Sequence, residues 1–176
     1  MVDLVTLQTV SYMAGAIGVC IAAISYTTNL INNNKARRTE IVRDILDSHH
    51  SYEDVRISNE VFEEIEYENW EDFLKKYAYG DKEAYRKFIF IWVYHDRLGY
   101  LLREGYVTPD TLYDLGGYSV LFLWGKYEPI DVEMKRVFGE SYLPYVKYLA
   151  LEMVKVKKRR EPGYVISEQF SKYLTN

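Results

Sequence analysis

Cysteine occurs once in the 176 residues, at Cys20 inside an apolar stretch, which excludes a disulfide framework and a thiolate metal cluster and fits a reducing, cytoplasmic compartment. The chain has no surplus of positive charge: its formal net charge is -4, so a generic nucleic-acid binder with a basic surface is excluded. It carries no nucleophile motif, no phosphate-binding loop and no dinucleotide fingerprint. No run shows strand alternation flanked by hairpin turns, which leaves an all-α reading. Eighteen tyrosines and three tryptophans are many for this length and suit wet-edged cores, interfaces and membrane boundaries alike.

The most informative absence is charge between Asp3 and Lys35. Within that gap, Val10 to Ile31 is mostly apolar and, at about 1.5 Å per helical residue, roughly 33 Å long, enough to cross a hydrocarbon core of about 30 Å. Ser11, Ser25, Thr27 and Thr28 are too weak to give it the polar face of a buried core helix. A secretion signal wants positive charge before the apolar run, and here only Asp3 precedes it. Lys35, Arg37 and Arg38 follow it directly, so the positive-inside rule predicts an outside amino terminus and a cytoplasmic domain at the cell membrane. Ala14, Gly18 and Ala22 recur every four residues, a stripe that would let a second helix approach. The expected organisation is an extracytoplasmic 1–9, a span 10–31, a cytoplasmic helical domain 32–160 and a tail 161–176.

Ile41, Val42, Ile45 and Leu46 continue the helical spacing past the span, with Asp47-Ser48-His49-His50-Ser51 as the first stop. A second helix follows around Val55 to Ile65, and Asn69, Asp81 and Thr108-Pro109 are capping positions for the next three. Phe88 to Val93 is apolar on every side, which predicts a central helix from Asp81 to Glu104 buried nearly all round and ended by Gly105. A further apolar run, Val120 to Trp124, is expected to stop at Pro129, with Asp131 and Ser141 capping two last helices and Pro162-Gly163 ending the final one.

The Arg37-Arg38 junction, the segment Asp96 to Val107, Gly117 and Trp124 together resemble a prokaryotic family known only as a domain of unknown function, with one span followed by a small helical domain. The resemblance covers roughly residues 5 to 140. Its most distinctive piece is a helix ending LG-x-L-x-x-x-G, here Leu98-Gly99-Tyr100-Leu101 to Gly105. It implies the architecture and brings no activity, cofactor or catalytic residue.

Two polar groups invite chemistry. His49-His50, near Asp47, Glu53 and Asp54, lacks the one-turn spacing of helical metal ligands and reads as a solvated turn. His95-Asp96-Arg97 sits beside a wholly apolar run and must find partners, as an acid–base and anion site or as an internal salt bridge that sets helix packing, the second being preferred. Charge is also segregated: nine acids against Arg56 between residues 53 and 72, and six bases against Glu152 between 147 and 160, including Lys155, Lys157, Lys158, Arg159 and Arg160. With Lys35, Arg37 and Arg38 these bases are candidate contacts to anionic lipid. The expected function is a non-enzymatic, membrane-anchored adaptor or accessory subunit, with lipid, membrane-protein subunits or a second copy as partners, and no metal, cofactor or nucleic acid. The alternative is a small cytoplasmic-face hydrolase or ligand sensor built around His95, Asp96 and Arg97.

Overall fold

In a computed structural model, which describes residues 3–47 and 51–165, the protein is all-helical, with no strand among the described residues. The first helix, α1 (Leu4–Asp47), is unbroken through the apolar stretch and the basic residues behind it, and at about 1.5 Å per residue it is roughly 66 Å long. The chain divides into two compact units, residues 1–41 and 42–176. The first is the bulk of α1 alone. The second is a bundle built from α2 (Tyr52–Glu63), α3 (Trp70–Phe73), α4 (Lys82–Arg103), α5 (Pro109–Asp114), α6 (Val120–Phe138) and α7 (Tyr145–Arg160).

Local chemistry sets most of these boundaries. Ser51 and Asp54 form a reciprocal capping box at the start of α2. The Asn69 side chain accepts from the Asp72 amide at 3.0 Å, and Asp81 accepts from the Glu83 and Ala84 amides, each at 3.0 Å. Thr108 caps α5 with Pro109 at its first position. Gly105, at φ 68°, ends α4 in the left-handed conformation, and the Tyr106 amide reaches back to the Leu101 carbonyl at 2.9 Å. Between α3 and α4, Leu74–Ala78 winds as one π-helical turn.

Three expectations need correction. α4 is not buried nearly all round: Phe88, Ile91, Trp92, His95, Leu98, Gly99, Leu101 and Leu102 face inward, whereas Phe90, Arg97 and Tyr100 remain exposed. The helix packs chiefly on α7, with α2 and the π-turn covering more of it, and the remaining side meets solvent. Pro129 does not stop α6, which continues to Phe138. Proline lies on the outer face, so the carbonyl deprived of its amide partner can turn to water, while Tyr127, Ile130 and Met134 anchor the helix on both sides. Asp131 and Ser141 cap nothing: Asp131 is inside α6, and α7 begins at Tyr145 after Pro144.

The core is strongly aromatic. Phe88 packs on Phe73, Trp92 and Tyr127 with ring centroids 5.1, 5.4 and 4.9 Å apart, and Trp92 stacks on Trp124. Tyrosine hydroxyls hold the end of α2 and the irregular stretch after it. Tyr127 donates to the Val61 carbonyl, Tyr67 to the Lys126 carbonyl, and Tyr77 to the Glu66 carbonyl at 3.0 Å while accepting from the Glu66 amide at 2.8 Å. Burial pushes the Tyr67 phenol up to about 12, and the Tyr127 phenol higher still, so both stay protonated donors at any physiological pH. Tyr127→Phe should destabilise the bundle by about 1–2 kcal/mol, since the Val61 carbonyl in the last turn of α2 loses its hydroxyl donor, and Tyr67→Phe by less, because the Lys126 carbonyl lies inside α6 and keeps its helical partner. The urea midpoint read by tryptophan fluorescence measures this, and an unchanged midpoint would show that water replaces the hydroxyl.

Candidate functional site

The apolar part of α1 is exposed on every side. Leu4, Val5, Leu7, Val10, Met13, Ile17, Val19, Ile21 and Ile24 all stand open, Ile24 at 67 % exposure, and the helix is long and apolar enough to cross a membrane. Its hydroxyl groups do not spoil that surface. Thr9 donates to the Val5 carbonyl at 2.9 Å, Ser11 to Leu7 at 2.9 Å, Thr27 to Ala23 at 2.8 Å and Thr28 to Ile24 at 2.9 Å. Each donor is therefore satisfied inside the helix, which lowers the cost of placing it in hydrocarbon. Ala14, Gly18 and Ala22 share one side of α1, and a Cβ added at Gly18 would meet nothing within 4 Å.

The polar residues of α4 diverge. His95 is buried, with Nδ1 2.8 Å from the Ile91 carbonyl oxygen and Nε2 3.1 Å from the Ser119 hydroxyl. Asp96 points to α7, where its carboxylate accepts from the Tyr145 amide at 2.8 Å and so caps that helix from a distance. Burial raises the Asp96 carboxyl, while the Tyr145 and Val146 amides and Lys135 pull it back. Arg97 is exposed. Successive residues on a helix point about 100° apart, and the three side chains converge on no common point. One turn beyond Asp96, Gly99 lies against the Tyr145 backbone, so the LG motif marks the crossing of α4 and α7.

Sequence reasoning missed a buried pair further along α6. The Asp131 carboxylate and the Lys135 ammonium, one turn apart, meet at 2.7 Å with only 4 % and 11 % of their side chains exposed. The Trp92 indole faces the same carboxylate without a well-formed hydrogen bond. Burial raises the Asp131 carboxyl, and Lys135 works against that rise. The only advance signal was the i, i+4 spacing of acid and base, which is commonplace on exposed helices.

The two charged regions differ in how far they are matched. At the end of α7, Arg159 bonds Asp110, Arg160 bonds Asp110 and Asp114, Lys157 bonds Glu161 and Lys155 bonds Glu152. These arginines hold the Asp110 and Asp114 carboxyls below their usual range. In the acidic stretch, Glu53 and Glu60 hold Arg56, Glu60 also holds Lys87, and Asp72 holds Lys76. Glu63, Glu64, Glu66, Glu68 and Glu71 are exposed, with no ion pair among the described residues. His49 and His50 lie outside the described residues, and among those described no cluster of three or more histidine, cysteine or acidic side chains is arranged to hold a metal.

A family model described as a domain of unknown function, DUF4760, matches residues 12–152. The match begins within α1 and ends within α7, so the apolar helix and the bundle belong to one family unit. No curated protein and no solved structure matches the chain.

Proposed function

We propose that this protein, which belongs to the DUF4760 family, is a non-enzymatic, single-pass membrane-anchored adaptor or accessory subunit whose helical bundle faces the cytoplasm. The observation that carries the reading is α1: a long helix with apolar side chains open all round and the hydroxyls of Thr9, Ser11, Thr27 and Thr28 bonded back to its own carbonyls. Such a surface needs lipid or protein around it. Lys35, Arg37 and Arg38 behind the apolar stretch favour an outside amino terminus. Ala14, Gly18 and Ala22 offer one side of the span to another helix, from a second copy or from a different subunit. The divergence of His95, Asp96 and Arg97, each used within or exposed on the bundle, supports a structural rather than catalytic role for that segment.

Lys35, Arg37 and Arg38 are the bases assigned to anionic headgroups, at about 1 kcal/mol each near the surface. Of the α7 bases, Lys155, Lys157, Arg159 and Arg160 contribute less, because acids of the same bundle already hold them, while Lys158 is exposed.

Expressed in a bacterial host, the chain should stay with membranes through carbonate washing. In a Cys20→Ser background, a cysteine introduced next to Asn176 should resist a membrane-impermeant thiol reagent in intact cells, and one at Val2 should react. Release by carbonate overturns the anchor, and labelling next to Asn176 from outside overturns the orientation.

A further inference from the structure

A groove of about 640 Å³ runs between α3 and the outer face of α6. Its apolar surface comes from Trp70, Pro129 and Val132, the last 49 % exposed; Glu68 and Glu71 line it with exposed carboxylates, and Glu133, also at its rim, is held by Arg136. This combination differs from an ordinary solvated helix face in two respects. An exposed valine and proline lie beside a half-buried tryptophan and give the groove an apolar side. The charge is also only partly matched: neighbouring acids of the same stretch hold Arg56, Lys76 and Lys87, while Glu68, which feels Lys76 at longer range, and Glu71 make no direct ion pair among the described residues.

We infer that this groove is a docking site for a cationic, amphipathic segment of a partner membrane protein, with apolar residues on Trp70, Pro129 and Val132 and lysine or arginine against Glu68 and Glu71. The inference rests on the membrane-anchored reading above and names the chemistry of its partner. Charge complementarity selects the occupant. The segments that flank spans on the cytoplasmic side are enriched in lysine and arginine, so a bundle tethered to that face meets basic, partly apolar helices at high local concentration. An amphipathic helix laid into such a groove gains affinity from its apolar contacts and partner choice from its charges.

The test uses the full chain in nanodiscs of zwitterionic lipid and a fluorescent 14-residue helical peptide of lysine and leucine, with its glutamate–leucine counterpart as control. Anisotropy should show saturable binding of the cationic peptide at about 100 mM salt, and none of the acidic one. Glu68→Gln with Glu71→Gln, and separately Val132→Lys, should each weaken it by about tenfold or more. Glu63→Gln with Glu140→Gln removes two exposed acids from outside the groove and should change it less than threefold. Equal loss from both glutamate pairs, equal binding of the acidic peptide, or no binding would each overturn the inference. So would self-association that Val132→Lys abolishes without peptide, which would make a second copy the occupant. A chain that inserts into nanodiscs but ignores the peptide overturns this inference alone, whereas failure to insert overturns the anchored reading beneath it.

Discussion

Gly99→Leu should abolish the cooperative unfolding of the bundle, and Gly99→Ala alone should cost about 3 kcal/mol, near the upper end for overpacking. A Cβ at this position would lie 2.3 Å from the Tyr145 carbonyl oxygen and 2.8 Å from its carbonyl carbon, and both are backbone atoms that no rotamer change can move aside. Relief requires α4 and α7 to separate, and theirs is the most extensive helix contact in the bundle. Separation would also pull the Asp96 carboxylate from the Tyr145 amide 2.8 Å away, so the helix start loses its cap as well as its packing. Against a domain stability of about 5–15 kcal/mol, the alanine variant remains folded and measurable while the leucine variant does not. All three tryptophans, Trp70, Trp92 and Trp124, lie in the bundle, so fluorescence in urea reports its unfolding without interference from α1. Gly105→Ala is the control: space there is open and only φ 68° resists a side chain, so about 1 kcal/mol is expected. Equal losses at Gly99 and Gly105 would place the effect in backbone conformation and remove the crossing from the explanation.

That glycine shows where the sequence was legible and where it was not. Boundaries governed by neighbours could be read directly: Asn69, Asp81, Thr108-Pro109 and Gly105 act within three residues of the groups they satisfy, and each sits where expected. The apolar stretch of α1 was equally plain, because lipid compatibility depends on composition along one helix and needs no partner. Failures came where a distant residue supplied the chemistry. Asp96 does for α7 what Ser141 was expected to do, across 49 positions of chain. Pro129 passes through α6 because it faces outward, and no local rule states which way it faces. The same limit applies to the candidate surfaces. Within the basic run ending α7, the pairing of Arg159 and Arg160 with Asp110 and Asp114 depends on the fold, and the groove on α6 needs α3 beside it before its acids and its valine share a surface. The tyrosine excess, uninformative as composition, is partly accounted for by the hydroxyls that hold the end of α2 and the stretch after it.

Lys135→Met should destabilise the bundle by about 3–5 kcal/mol at pH 7, because it strands the Asp131 carboxylate in the core. The replacement keeps the length and apolar stem of lysine, so the loss reflects charge and hydrogen bonding more than volume. Burial already raises the Asp131 carboxyl above its ordinary value with Lys135 opposing that rise, and removing the ammonium lets it climb further. A carboxyl whose folded pKa exceeds its unfolded one binds its proton more tightly in the native state, so its contribution is fully present below the unfolded pKa and is lost as pH rises through the folded one. The variant should therefore recover part of its deficit, measured against the parent at the same pH, between pH 7 and pH 5. Exposed carboxylates held low by Arg159 and Arg160 respond in the opposite direction, but they are common to both proteins and cancel in the difference. Asp131→Leu combined with Lys135→Met should restore stability to within about 1 kcal/mol of the parent or exceed it, as a well-packed apolar pair often replaces a buried ion pair without loss. Urea unfolding of the three proteins at pH 5 and pH 7 decides the matter. A deficit that does not change with pH, or a double variant as weak as Lys135→Met alone, would mean that the lysine acts through packing and that Asp131 is not held by its charge.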